Sequence, residues 1–295
     1  MRGRYVRMSP EPSPTLQRRR LARELRRLRH QRGMTTEKVA EQMDMAQSTV
    51  SRIERAKRGV QIRDLKALMR IYGVGDEEWD QLLTMATASR QRRWWHYYSD
   101  AMSQRFYDYV GLEAEATTLH TYQSELVPGL LQTSEYYRTV LNAAPRVSSD
   151  EEVERMVEVR QVRQRRLTED DEPPEYWAVL NEAVLRRVVG HPETMRAQLF
   201  HLVKLAELPH VTIQVLPFAS GVHPAMGGSF MLLGFPERKD RDIAYVDTET
   251  GGLYLEAPKE VERYKELFTR LRANAMHPEE SVSLTKRVAS DIPKT

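Results

Sequence analysis

The chain contains no cysteine. Disulfides, thiolate zinc sites and cysteine nucleophiles are therefore excluded. Long apolar runs are missing too: no stretch approaches the ~20 consecutive residues needed to span a bilayer. Residues 1–15 are basic and contain proline, but no apolar segment follows them as a secretory signal requires. Both absences point to a cytoplasmic location. Metal and nucleotide signatures are equally scarce. Of the 8 histidines, His201 and His210 stand nine apart without a helical i+4 partner, and no His-Glu-x-x-His run occurs. Gly221-Val222-His223-Pro224-Ala225-Met226-Gly227-Gly228 lacks the Gly-Lys-Ser/Thr ending of a phosphate loop and reads as a flexible connection between strands. No Ser/His/Asp set stands out. No catalytic residue, metal ligand or cofactor is expected, and the chain is read as a non-enzyme.

What is present divides sharply by charge. The 295 residues suffice for about two domains. Residues 1–75 carry 19 Lys and Arg against 7 Asp and Glu, whereas residues 76–295 carry 26 against 35. A basic first part joined to an acidic remainder is the asymmetry expected when one end meets a polyanion.

The basic part has helical periodicity. Leu21, Leu25 and Leu28 form one apolar stripe on a helix over 16–31, and arginines fill its other faces. Those arginines read as a solvated face with some phosphate contact. Gly33 stops the helix. Thr35 is placed to cap a short second helix that buries Val39, Ala40 and Met43. After a turn at 44–46, a third helix over 47–55 turns Val50 and Ile53 inward. A fourth helix over 61–72 buries Leu65, Leu68 and Met69, and a fifth runs from 76 to about 90. Two short helices joined by a tight turn inside such a bundle make a DNA-reading unit. The major groove admits one helix, and the second of the pair enters it N-terminus first. With Val50 and Ile53 committed to the core, Gln47, Ser48, Ser51 and Arg52 can face outward, with Thr49 at the margin. Gln suits adenine and Arg suits guanine, each bidentately.

Gly33-Met34-Thr35-Thr36-Glu37-Lys38-Val39-Ala40 followed by Gln47-Ser48-Thr49-Val50-Ser51-Arg52-Ile53-Glu54 resembles the Xre/Cro phage-repressor family over about residues 16–75. The resemblance implies a lambda-repressor-like bundle. It also implies base reading by Gln47, Ser48, Thr49, Ser51 and Arg52, and phosphate contacts from Thr36, Arg55, Lys57 and Arg58. Two residues depart from the family pattern. Asp44 stands where Gly is usual, and Ala46 stands where Ser or Thr is usual. An N-cap Ala costs ~1 kcal/mol relative to Ser or Thr, so the third helix is expected to be slightly loose before DNA binds.

The remainder reads as a mixed α+β domain, so the fold class is an all-helical helix-turn-helix bundle followed by α+β. The expected domains are a flexible arm (1–15), the DNA-binding domain (16–90), a connecting helical segment (91–116) and an α+β domain (117–295). Arg92-Arg93-Trp94-Trp95-His96-Tyr97-Tyr98 is a basic-aromatic cluster at the junction. Base stacking is one use for it, and packing at the hinge between domains is the favoured one. Strands are expected near 117–122, 176–180, 211–216, 229–235, 243–247 and 253–256, with helices ending at 141 and over 150–167, 191–207 and 258–276. On the 150–167 helix, Arg160, Arg163, Arg165 and Arg166 are read mainly as i,i+4 partners of glutamates on a solvated face.

Val127-Pro128-Gly129-Leu130-Leu131-Gln132-Thr133, Arg160-Gln161-Val162-Arg163-Gln164, Asn181-Glu182-Ala183-Val184-Leu185, Val215-Leu216-Pro217-Phe218 and Pro278-Glu279-Glu280-Ser281 together resemble the WhiJ-like regulators of streptomycetes and related actinobacteria. That resemblance implies a transcriptional regulator, with a small partner protein encoded by a neighbouring gene and an antitoxin-like role as the alternative. The expected partners are double-stranded DNA, a second copy of the chain in a homodimer, and that small protein or a signal.

Overall fold

A computed structural model of the chain describes residues 14–90, 94–100, 102–143, 149–235, 241–248 and 252–293. The arm at 1–13 and the pair Arg92-Arg93 lie outside the described residues. The chain separates into two compact units, Met1–Tyr97 and Tyr98–Thr295.

The first unit holds five helices: α1 (Pro14–Gln31), α2 (Thr36–Gln42), α3 (Gln47–Glu54), α4 (Ile62–Ile71) and α5 (Asp76–Ala88). A 3-10 turn at Trp94–Tyr98 follows, with Trp95 buried and Tyr97 exposed. The leucine stripe of α1 is the centre of the core. Leu21, Leu25 and Leu28 meet Val39, Val50, Ile53, Leu65, Met69 and Leu82. Each such side chain contributes roughly 1.5–3 kcal/mol on burial. Thr35 caps α2, accepting the Lys38 amide at 3.3 Å.

The second unit is built on a six-stranded sheet. The strands are β1 (Thr118–Gln123), β2 (Glu175–Asn181), β3 (Val211–Leu216), β4 (Phe230–Gly234), β5 (Ile243–Val246) and β6 (Leu253–Leu255), in the order β3-β2-β1-β4-β5-β6. The β1–β2 and β2–β3 pairs are parallel, and the other three are antiparallel. Around the sheet run α6 (Gln104–Glu113), α7 (Ser134–Ala143), α8 (Asp150–Thr168), α9 (Glu182–Arg186), α10 (Pro192–Leu205), α11 (Pro258–Asn274) and α12 (Pro278–Asp291). Alternation along the strands fixes which layer each side chain joins. Tyr122, Val179, Leu216, Phe230 and Ala244 form a core with Val261, Phe268 and Leu271 of α11. His120 stacks on Phe268 with ring centroids 5.0 Å apart. On the opposite face Tyr109 of α6 lies against Tyr245, centroids 4.6 Å apart, with its hydroxyl 3.1 Å from Met231 Sδ.

Two helices go beyond the sequence reading. α9 is a single turn capped by Asn181, whose Oδ1 accepts the Ala183 amide at 3.0 Å. It is too short to show a period. α12 buries Ser281, Thr285, Val288 and Ala289, so its inner face is small and half polar and carries no apolar stripe. It closes the open edge of β3: the Val215 amide donates to Ser281 Oγ at 2.9 Å, and the Met276 amide donates to Val215 O at 2.9 Å. Covering an edge strand in this way blocks its pairing with another chain.

The reading of the α8 arginines as a solvated, glutamate-paired row needs correction. Arg165 and Arg166 do approach Glu169 and Asp170 at i+4. Arg163, however, is buried and forks onto Glu113, with Nε to Oε1 and Nη2 to Oε2 both at 2.7 Å. Tyr109 donates its hydroxyl to the same carboxylate at 2.7 Å. Arg166 reaches the carbonyls of Glu113 and, at 2.6 Å, Ala116. Arg160 lies 3.4 Å from the centroid of the Tyr137 ring and donates to Gln132. A charged row that reads as surface thus ties α8 to α6 and to the turn after β1.

Candidate nucleic-acid interface

The geometry of the helix-turn-helix starts with helix ends. Helix α2 closes in a Schellman motif. The Met45 amide reaches Ala40 O at 3.0 Å and the Asp44 amide reaches Glu41 O at 3.3 Å. The motif puts its linking residue in the left-handed region, and Asp44 takes φ 49°. Helix α3 ends the same way: the Lys57 amide donates to Arg52 O at 2.8 Å, the Ala56 amide to Ile53 O at 2.9 Å, and Ala56 has φ 56°. Helices α1 and α4 use glycine at the equivalent places, Gly33 and Gly73. Helix α3 is therefore bracketed by the two described non-glycine residues with positive φ. Its N-cap, Ala46, makes no side-chain bond to the first turn.

Between these ends α3 is held by its inner face. Val50 is 2% exposed and Ile53 4%. Gln47, Ser48 and Arg52 are exposed, and Thr49 and Ser51 are half-buried. Gln47 Nε2 donates to Thr36 Oγ1 at 3.0 Å, which joins the first residue of α3 to the first residue of α2. Arg55, Lys57 and Arg58 are exposed just past the C-terminus of α3. Among the described residues, none of Arg52, Arg55, Lys57 and Arg58 takes part in an ion pair. Beside Thr36, the Glu37 carboxyl is held below the usual carboxylate range, first by its own backbone amide and then by the Thr35 hydroxyl.

One pair that positions this site is not evident in the sequence reading. Arg29 and Glu54 form a buried fork, with Nε to Oε1 at 2.7 Å and Nη2 to Oε2 at 2.9 Å, and Arg29 Nη1 also donates to Met34 O at 2.7 Å. The hydrogen bonds that Arg29 donates to Glu54 are the main cause that raises its guanidinium above its ordinary value, against the opposing effect of burial. The pair fixes the last residue of α3 to α1 and to the turn before α2. Its signal lies in the spacing: Arg29 falls four residues after Leu25, on the core side of the stripe, and Glu54 falls four after Val50.

In the second unit the recurrent motif residues are engaged with one another. Gln132 Nε2 donates to Val127 O at 2.7 Å, and Gln164 Nε2 donates to Gln132 O at 2.5 Å. Gln198 bridges the same turn, accepting the Thr133 amide at 2.6 Å and donating to Leu131 O at 2.7 Å. Glu182 accepts the Phe218 amide at 2.9 Å. The Gly221–Gly228 segment does join β3 to β4. It is tethered where Ser220 Oγ donates to Asn274 O and where Tyr122 OH lies 3.3 Å from His223 Nε2.

The two units match two family models. Residues 20–82 match a model described as a helix-turn-helix domain, the class of fold that binds DNA. Residues 106–287, more than half the chain, match a model described as a domain of unknown function (DUF5753), and the chain belongs to that family. No curated protein and no solved structure matches the chain. No described helix is long and apolar enough to cross a membrane.

Proposed function

We propose that this protein is a sequence-specific transcriptional regulator, acting by binding rather than by catalysis, that lays α3 in the major groove of double-stranded DNA. Gln47, Ser48, Thr49, Ser51 and Arg52 read base edges, and Thr36, Arg55, Lys57 and Arg58 hold phosphates. The observation that carries this reading is the pairing of a fixed inner face with an open outer one. Val50 and Ile53 lock α3 into the core while Gln47, Ser48 and Arg52 stand clear of it. The Xre/Cro resemblance of 33–54 favours the same roles. A single reading helix contacts only a few base pairs, so a homodimer on two half-sites is part of the proposal. The protein works in the cytoplasm, at the nucleoid.

The second unit receives a small partner protein or a signal, as the WhiJ-like resemblance of its motifs suggests. A second reading makes sequestration of that partner the main task, as in an antitoxin, with DNA binding serving autoregulation. The acidic balance of residues 76–295 favours a basic partner. Mapping of bound DNA across the native genome, with and without the product of the neighbouring gene, tests both. Discrete sites that change with the partner support the regulator, and sites confined to its own promoter support the second reading. An absence of discrete sites contradicts both.

A further inference from the structure

The loop over 55–61 is held at one end by α3 and at the other by a residue outside the helix-turn-helix. At its start, Arg52 O accepts the amides of Lys57 at 2.8 Å and Arg58 at 3.2 Å. At its end, Arg90 Nη2 donates to Val60 O at 3.2 Å and to Gln61 Oε1 at 2.9 Å. Gln61 is the N-cap of α4, yet its side chain makes no capping bond and instead receives Arg90. Arg90 sits just past α5, where its own amide donates to Thr87 O at 3.1 Å. Three cations, Arg55, Lys57 and Arg58, stand at the first anchorage, and Gly59, whose missing Cβ leaves open space, separates them from the second. Like charges this close repel, and glycine adds little stiffness. At the far end Val60 is buried in the core, and Arg90 adds a hydrogen-bonded tie to its carbonyl and to the next side chain.

We propose that Arg90 is a positioning residue for DNA binding: through Val60 and Gln61 it fixes the loop that presents Lys57 and Arg58 to the phosphate backbone. The inference rests on the DNA-binding reading above and extends it to the end of α5, the helix from which the chain leaves for the second unit.

The test uses the full-length protein and a labelled duplex of mixed sequence, with affinity measured from ~50 to ~200 mM salt. Arg90→Ala and Gln61→Ala each weaken binding about threefold to tenfold and flatten the salt slope, by ~0.9 for each phosphate that is no longer neutralised. The double variant loses no more than Arg90→Ala alone, because Gln61→Ala removes only one of the two bonds that Arg90 makes. Arg90→Gln drops the charge but keeps an amide donor, and it restores much of the wild-type slope. The proposal is overturned if Arg90→Ala keeps the wild-type slope. It is also overturned if Arg90→Gln behaves as Arg90→Ala, which would make Arg90 a direct phosphate ligand. Weaker binding only in step with a lowered melting temperature overturns it as well. Failure of the wild type to bind the duplex is a different result, and it would contradict the DNA-binding reading itself.

Discussion

Arg52 and Lys57 are both exposed cations, but they stand at different places on the same helix end and should fail differently. Arg52 is on the outer face of α3, so Arg52→Ala should cost ~1–3 kcal/mol on the specific site and relax the choice of base there. Lys57 lies past the helix, so Lys57→Ala should weaken all duplexes alike and reduce the salt slope by ~1. Fluorescence anisotropy with several duplexes over a salt series separates the two. Ala56 makes a third residue-scale case. A side chain in the left-handed region costs ~1–2 kcal/mol relative to glycine, so Ala56→Gly should raise the stability of the first unit by about 1 kcal/mol in denaturant melts. In the second unit, burial pushes the Glu113 carboxyl up, but Arg163, Tyr109 and Arg166 outweigh it and hold it below its ordinary value of 4.5. A depressed carboxyl adds stability that is complete above that ordinary value and is lost as pH falls through the folded one. Glu113→Gln leaves Arg163 buried without its counter-charge and should cost ~3–5 kcal/mol near neutrality. The gap from wild type should narrow as the pH of the melts falls below that ordinary value. A gap independent of pH would show that the carboxylate charge is not what matters.

At the scale of elements, α3 is held from inside and from its far end but is weakly capped at its start. The Arg29–Glu54 fork supplies the hold at the end. Arg29→Ala strands a buried carboxylate, so it should destabilise the first unit by ~3–5 kcal/mol and lower DNA affinity with it. Ala46→Ser should act oppositely, adding about 1 kcal/mol through a new cap. Hydrogen exchange of the α3 amides in both variants measures these effects where they occur. The helices of this unit are legible in the sequence because Leu21, Leu25 and Leu28 repeat with a clean period and because Gly33 and Thr35 mark a stop and a start. The strain at Asp44 is legible as well, since a turn residue there must suit a left-handed conformation. Ala56 is not, because alanine carries no turn signal. Arg29 and the α8 arginines mislead for one shared reason: a charged residue on a mostly charged helix looks solvated until its partner, Glu54 or Glu113, is brought from a distant part of the chain.

For the whole molecule, charge separates a basic helix-turn-helix unit from an acidic second unit, and that division is plain in the sequence. The six strands are also visible there, but their order is not. Nothing local says that β4 pairs with β1 or that α12 covers β3, because such pairings are decided by long-range packing. The motifs of the second unit illustrate the limit. Gln132, Gln164 and Glu182 belong to the motifs that carry the family resemblance, and the structure has them bracing turns. The central claim is that α3 reads sequence, and the most direct test is selection of bound duplexes from a random pool by the full-length protein and by Arg52→Ala. The account predicts that the wild type enriches one motif with two related half-sites and that the variant loses preference at one base pair in each half. Enrichment of no motif, or of the same motif by both proteins, would contradict it.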